Sequence, residues 1–287
     1  MNITRAWLIL ADILVTILLL FSFLLFYLYP IRHIPKQQVQ LHTINWDENI
    51  TFDTFSEIRN IPNIEDFEYM IQENYNVSKE IIQDYLITTP MKERLNTLNA
   101  KVGDPLFIRI FKKESILEVW IRIDSEYVHL KNYAICAFSG NLGPKLKEGD
   151  RQSPEGFYKV QKYQLNPNSK FHLSFNLGYP NKYDRLHKRT GSYLMVHGNC
   201  ISIGCYAMTD DKIEEIYALV EGALNNGQKS VQVHAYPFKM TKENMDLYSN
   251  NRWYVFWENL KEGYDYFESE KLPPNIKVKN RKYIIYE

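Results

Sequence analysis

The sequence predicts a mainly β fold with some helices, an α+β chain built on a mixed sheet or sandwich. Three observations carry this. Short runs of branched and aromatic residues recur through the middle of the chain, as in strands. Helical patterning is confined to a few segments, too few to alternate with strands as a doubly wound fold requires. Gly140, Gly143, Pro144 and Gly149 punctuate the strand region as loop residues do.

The elements follow in order. Residues 1–6 are a short tail. Residues 7–29 read WLILADILVTILLLFSFLLFYLY, long enough for an apolar helix to cross a bilayer. Asp12 is the one charge inside the run and sits near its end, where a carboxylate costs less than at the midplane. The run closes on bulky Tyr-Leu-Tyr-Pro rather than a small-residue cleavage site, so an uncleaved anchor is expected ahead of a removed signal peptide. Arg5 before the run and Arg32 and Lys36 after it are too evenly matched for the positive-inside rule to orient it.

Residues 30–85 read as a linker with short helical pieces. Pro90 suits a first helical turn, with Met91, Leu95 and Leu98 on one face. Strands are expected at 106–110, 117–123, 134–138, 156–160, 192–196 and 231–234. A helix is expected over 211–226, with Thr209 or Asp210 as its cap and Gly227 just past its end. An aromatic helix near 253–264 closes the chain.

Composition limits the function. Lys plus Arg and Asp plus Glu are each 34, so the net charge is zero and nothing points to nucleic acid as a partner. The three cysteines, Cys136, Cys200 and Cys205, are too few for a disulfide framework. A Cys200–Cys205 disulfide stays open, and it would silence the second thiol.

Chemistry concentrates in VHGNCISIGCY at 196–206. A cysteine nucleophile needs a base within reach and donors for a developing oxyanion. His197 ends an expected strand, and Cys205 follows Gly204. The eight-residue separation is too long to bridge if extended, but Gly198 and Gly204 allow the loop to fold back. Amides near Gly204 to Tyr206 are then candidate oxyanion donors. Taken alone the pair is a weak signal, since a buried cysteine is usually a small hydrophobe. His197, Cys200 and Cys205 match no common zinc spacing, so no metal and no cofactor are expected.

Several blocks together strengthen the signal: FIRIFK at 107–112, SGNLGPK at 139–145, GDRQSPEGFY at 149–158, LNPNS at 165–169, LSFNLGYPN at 173–181, RTG at 189–191, MVHGNC at 195–200 and SIGCYAMTD at 202–210. With them, residues 86–287 resemble the YkuD-type L,D-transpeptidase catalytic domain, and more closely its YafK (DpaA)-like subgroup. The resemblance implies a β-rich catalytic domain and an acyl-enzyme mechanism on peptidoglycan stem peptides. It casts Cys205 as nucleophile and His197 as base. Gly198 would orient the base, Ser202 would line the site, and Gly204 would contribute to the oxyanion hole.

Two departures stand out. Ile203 occupies a position where a second histidine is usual, and Tyr206-Ala207 replaces the usual pair after the cysteine. The subgroup implies hydrolysis of the diaminopimelate–lysine amide that holds a lipoprotein on peptidoglycan. The alternatives are a cross-linking or protein-attaching transpeptidase and a non-catalytic wall-binding anchor. A thiol pKa below the ordinary range would favour the enzyme. The reading places the domain in the periplasm, anchored to the inner membrane, or secreted if the leader is cleaved. Tyr158, Tyr179, Asn181, Tyr183 and Asp184 are candidates for the substrate groove. Arg151 and Arg189 are candidates for binding peptide carboxylates.

Overall fold

The computed structural model describes residues 87–286. The expected membrane span at 7–29 and the linker at 30–85 lie outside the described residues. Among the described residues no helix is long and apolar enough to cross a membrane.

The first element is helix α1 (Thr89–Thr97), with Pro90 in its first turn. Thr88 is the N-cap and its Oγ1 accepts from Met91 N at 3.4 Å. Met91 and Leu95 are its buried residues, one turn apart on one face. Five strands then build the first sheet: β1 (Leu106–Phe111), β2 (Ile116–Ile123), β3 (Glu126–Ala134), β5 (Gly156–Val160) and β10 (Val231–Tyr236). Their order is β3-β2-β1-β10-β5, with only β1 and β10 parallel.

All six β1 residues are buried, because both faces of this central strand are covered. Leu106, Ile108 and Ile110 join the main core. Phe107, Arg109 and Phe111 face the other way, where Phe107 packs on Phe267 at 4.6 Å and Arg109 pairs with Glu118 and Glu268.

The second sheet orders β4-β9-β8-β7-β6. Its strands are β4 (Ala137–Phe138), β6 (Leu165–Ser169), β7 (His172–Asn176), β8 (Met195–His197) and β9 (Tyr206–Ala207). Phe175, Val196 and Tyr206 project from its inner face into the same core as Ile108, Val119 and Val233. Helix α3 (Asp210–Asn225) completes that core with Ile213, Ile216 and Val220.

The short helix α2 (Lys182–Leu186) follows β7 and precedes β8, and its Tyr183 packs with the aromatic residues of a second core. After β10 come α4 (Lys242–Leu247), α5 (Tyr254–Glu270) and a hairpin of β11 (Asn275–Lys279) and β12 (Lys282–Tyr286). Trp257, Leu260 and Tyr264 of α5 form that second, aromatic core with Phe111, Tyr236 and Tyr283.

Several expectations shift. The strand expected at 134–138 is a joint: β3 ends at Ala134, β4 begins at Ala137, and Ile135 and Cys136 turn the corner. Strands β3, β6 and β7 and the hairpin were not expected. Their half-exposed faces carry charged and amide residues that dilute the apolar signal. Helix α5 runs six residues past the expected end, to Glu270.

His234, with no exposed surface, lies between Phe107 and Phe157. Burial, reinforced by Arg109 and Lys159, holds it well below its usual 6.5. Burial also lowers His197. Both groups stay neutral when folded but take up protons when unfolded, so acid favours the unfolded state. Thermal denaturation followed by circular dichroism should show stability present above about pH 6.5 and declining as pH falls below it.

Candidate active site

The second sheet sets the geometry. Strands β8 and β9 run parallel, with Val196 opposite Tyr206 and His197 opposite Ala207. One step back, Cys205 falls beside Met195, whose N–H lies 3.4 Å from Cys205 Sγ. Side chains alternate along strands. Val196 and Tyr206 fill the core, so His197 and Cys205 share the opposite face as diagonal neighbours, at roughly 7–8 Å between backbones.

The loop between them is tightly held. Gly198 packs against α3: a Cβ there would meet Asp210 Oδ1 at 2.5 Å and Ile213 at 3.0 Å. Asn199 and Cys200 both take the left-handed backbone conformation. Asn199 N donates to Asp210 Oδ1 at 2.6 Å, and Cys200 N donates to Met208 O at 3.1 Å. Cys200 is disulfide-bonded to Cys136 at the β3–β4 joint. The Cys200–Cys205 disulfide left open by the sequence does not form, and Cys205 is the free thiol. Three cysteines proved enough for one structural bridge, because the partner lies 64 residues away in sequence but on the adjoining strand corner.

His197 is only 2% exposed. Its Nδ1 lies 2.6 Å from Gly198 O. A carbonyl can only accept, so Nδ1 carries the proton and Nε2 keeps its lone pair. The Phe171 ring covers the imidazole at 4.9 Å. Sγ makes its hydrogen-bond contacts with Met195 N and, at 3.6 Å, with Tyr193 O; among the described residues no hydrogen bond joins it to the imidazole.

Burial pushes the Cys205 thiol up from its usual 9.0, against weaker opposing pulls from Met195 N–H and Lys145. A depressed thiol would favour the enzyme, and burial moves this thiol in the opposite direction. The resting site therefore holds a neutral thiol and a neutral imidazole rather than an ion pair. Iodoacetamide should label Cys205 alone under non-reducing conditions, at a rate still rising above pH 9. A plateau reached near neutral pH would contradict the neutral resting pair.

A strap of serines fixes the backbone at Cys205. Its carbonyl accepts from Ser202 Oγ at 2.8 Å and from Ser153 Oγ at 3.0 Å. Ser139 Oγ meets Ser202 Oγ at 2.8 Å, and Ser139 N donates to Ser153 Oγ at 3.0 Å. Gly204, at φ +148, donates its N–H to Ser202 Oγ at 3.2 Å. That bond takes Gly204 N–H out of the oxyanion candidates and leaves the amides of Cys205 and Tyr206.

Beneath the strap lies an ion pair with no exposed surface. Lys112 Nζ donates to Glu155 Oε1 at 3.1 Å and to the carbonyls of Asn141, Gly143 and Ser153. The other Glu155 oxygen accepts from Trp257 Nε1 at 2.8 Å.

The candidate groove residues are placed otherwise than the sequence suggested. Tyr158 is buried, with its hydroxyl on Glu155 O and Asp184. Tyr179 donates to Lys145 O at 3.2 Å. Asn181 caps α2 and reaches Phe157 O and Tyr283. Tyr183 is stacked between His187 and Tyr283. Asp184 and Arg189 form a buried pair at 2.8 Å. The polar groups of Tyr158, Tyr179, Asn181, Asp184 and Arg189 are committed to protein partners, and the Tyr183 ring is buried in aromatic stacking. Arg151 alone of the seven is exposed.

Sequence reasoning passed over Ser139, Ser153, Lys112 and Glu155. All four lie in blocks already singled out, and the signal available was a lysine directly following the apolar run of β1. Tyr206, a departure from the pair usual after the cysteine, is in the core with its hydroxyl on Pro154 O at 2.6 Å.

A free cysteine and a tautomer-fixed histidine thus share one sheet face, with the cysteine's backbone clamped by hydroxyls. Residues 108–233 match the family described as YkuD, L,D-transpeptidase catalytic domain. Over 198 residues the chain is 48% identical to "Putative L,D-transpeptidase YafK" of Escherichia coli (strain K12), covering 69% of this chain and 80% of that protein. The protein of the same name from Escherichia coli O157:H7 matches equally. The chain belongs to the YkuD family of L,D-transpeptidase catalytic domains, which act on peptidoglycan.

Two solved structures are more distantly similar. The helical cell shape determining protein Pgp2 from Campylobacter jejuni is 19% identical, with 66% of this chain and 80% of that one covered and a TM-score of 0.38. Bd1075 of Bdellovibrio bacteriovorus is also 19% identical, with 62% and 78% covered and a TM-score of 0.36.

Proposed function

We propose that residues 86–287 form a domain for cysteine-dependent acyl transfer at meso-diaminopimelate of peptidoglycan stem peptides. Its reaction is hydrolysis of the diaminopimelate–lysine amide that joins a lipoprotein to peptidoglycan. The observation that carries the reading is the shared sheet face of the free Cys205 thiol and the Nε2 lone pair of His197.

Attack begins as the thiol gives its proton to His197 Nε2 and sulfur bonds to the amide carbonyl carbon. The N–H of Cys205 or Tyr206 stabilises the oxyanion. The imidazolium then protonates the leaving lysine amine, and a thioester remains on Cys205. Water, deprotonated by the same imidazole, releases the acid. Gly198 fixes the base through its carbonyl, and Ser202 holds the nucleophile's backbone.

Water rather than an amine as acceptor is supported by Ile203. It is 77% exposed beside the thiol, where related enzymes usually carry a second histidine. An exposed isoleucine adds no second polar group to hold or deprotonate a bulky amine, so the acceptor relies on His197, which serves the small acceptor water.

We further propose that residues 7–29 anchor the chain in the inner membrane with the domain in the periplasm. The Cys136–Cys200 disulfide supports an oxidising compartment. The full chain should be incubated with stem peptides bearing a lysine-linked peptide, with and without added amine, and analysed by mass spectrometry. The expected product in both is the free stem acid and released lysine peptide. Cross-linked product without any hydrolysed stem would overturn the hydrolase reading.

A further inference from the structure

Ser174 has no exposed surface, and its hydroxyl has no hydrogen-bond partner among the described residues. A buried hydroxyl left unsatisfied is costly, so its position calls for a reason. In the β7–β8 ladder Ser174 lies directly opposite His197.

The bonding pattern gives the spacing. Gly198 N donates to Leu173 O at 3.3 Å, and Leu177 N donates to Leu194 O at 2.9 Å. Bonded and non-bonded pairs alternate in an antiparallel ladder, so Ser174 and His197 form a non-bonded pair. Such pairs bring side chains closest, with Cβ atoms roughly 4.5–5.5 Å apart. Phe175 and Val196 point into the core, so Ser174 and His197 share the face that carries Cys205.

The ring itself is half satisfied. Nδ1–H is spent on Gly198 O, while Nε2 has no partner among the described residues. Two polar groups that are not bonded to each other thus belong to directly opposed residues, one of them the ring on which charge appears during turnover. The other titratable groups around the ring are Cys205, His172 with Glu214 at 2.8 Å, and Asp210, which is engaged with Asn199 N. Neither carboxylate is bonded to the ring.

We propose that Ser174 is the positioning residue of the His197 base: its hydroxyl accepts from, and so holds, the imidazolium formed when the Cys205 thiol gives up its proton. The step is a proton transfer only. The S–H bond breaks, the Nε2–H bond forms, and a small side-chain rotation from the unbonded resting arrangement lets the Ser174 hydroxyl lone pair accept that new N–H until the leaving amine takes the proton. This inference rests on the Cys205–His197 reading above.

The test uses the full chain with Ser174→Ala and Ser174→Thr. Two readouts are needed: the stem-cleavage pH profile, and the His197 imidazole titration by NMR, assigned with His197→Gln. A hydrogen bond to a charged group predicts that Ser174→Ala lowers kcat about tenfold or more at unchanged KM. It also moves the His197 titration to lower pH, and Ser174→Thr restores both. Ser174→Ala with the His197 titration unmoved overturns the proposal, whatever happens to kcat, because a merely structural serine would leave it there. Wild-type turnover that survives Cys205→Ala instead defeats the active-site reading itself, so the two failures are distinguishable.

Discussion

Replacing Cys205 by alanine should abolish stem cleavage, by at least about 10⁴-fold in kcat, since loss of a nucleophile removes the covalent route altogether. The fold should survive. The side chain is partly exposed, and its Sγ contacts only Met195 N and Tyr193 O, at 3.4 and 3.6 Å. The backbone carbonyl that Ser153 and Ser202 hold is untouched by the change. A melting temperature within a degree or two of wild type, together with lost turnover, would locate the effect in chemistry. A non-catalytic wall-binding anchor predicts the opposite: binding to peptidoglycan and function in cells would persist in the alanine variant.

The largest stability effect is expected at Lys112. Its ammonium has no exposed surface, and burial pushes its pKa down from 10.5 against the pull of Glu155. Lys112→Met removes the cation but leaves Glu155 buried, with Gly143 N and Trp257 Nε1 as its remaining donors. Breaking such a pair costs about 3–5 kcal/mol. For about 200 ordered residues this is a fall of roughly 10 °C in Tm.

Adding Glu155→Gln should recover part of that loss, because the uncompensated charge is gone, though its single amide oxygen keeps an acceptor for only one of Trp257 Nε1 and Gly143 N, which use different oxygens of Glu155. Activity should fall more than stability explains. Lys112 also holds Ser153 O, and Ser153 Oγ holds the Cys205 carbonyl. Differential scanning calorimetry beside stem-cleavage rates below the transition would separate the two effects.

The sequence made much of this legible where local pattern and chemistry coincide. Strand β1 reads as an apolar run interrupted only by Arg109, because both its faces are covered. Helix α3 shows its stripe of Ile213, Ile216 and Val220 plainly. His197 and Cys205 were found because Gly198 and Gly204 mark a loop that must return on itself, and the surrounding blocks made the pair specific.

What was not legible depends on contacts distant in sequence. The Cys136–Cys200 bridge needs the β3–β4 corner to meet the loop after β8. The Lys112–Glu155 pair joins β1 to the approach of β5, and no local spacing announces it. Tyr158, Tyr183, Asp184 and Arg189 looked like binding residues because polar and aromatic side chains suit a groove. Their polarity is spent instead on one another, on α2 and on the hairpin. The direction of the thiol shift was also hidden, since it depends on how deeply Sγ is buried and not on which residues flank it in sequence.

The central claim is that Cys205 forms a covalent acyl-enzyme with a peptidoglycan stem peptide. Intact mass spectrometry of the full chain, quenched in acid within the first turnover and followed by peptide mapping, tests it most directly. The expected result is a stem-peptide adduct of thioester mass on the peptide containing Cys205, absent from Cys205→Ala and short-lived at neutral pH. Stem cleavage that proceeds at the wild-type rate with no adduct at Cys205 at any quench time, or an adduct mapped to another residue, would contradict it.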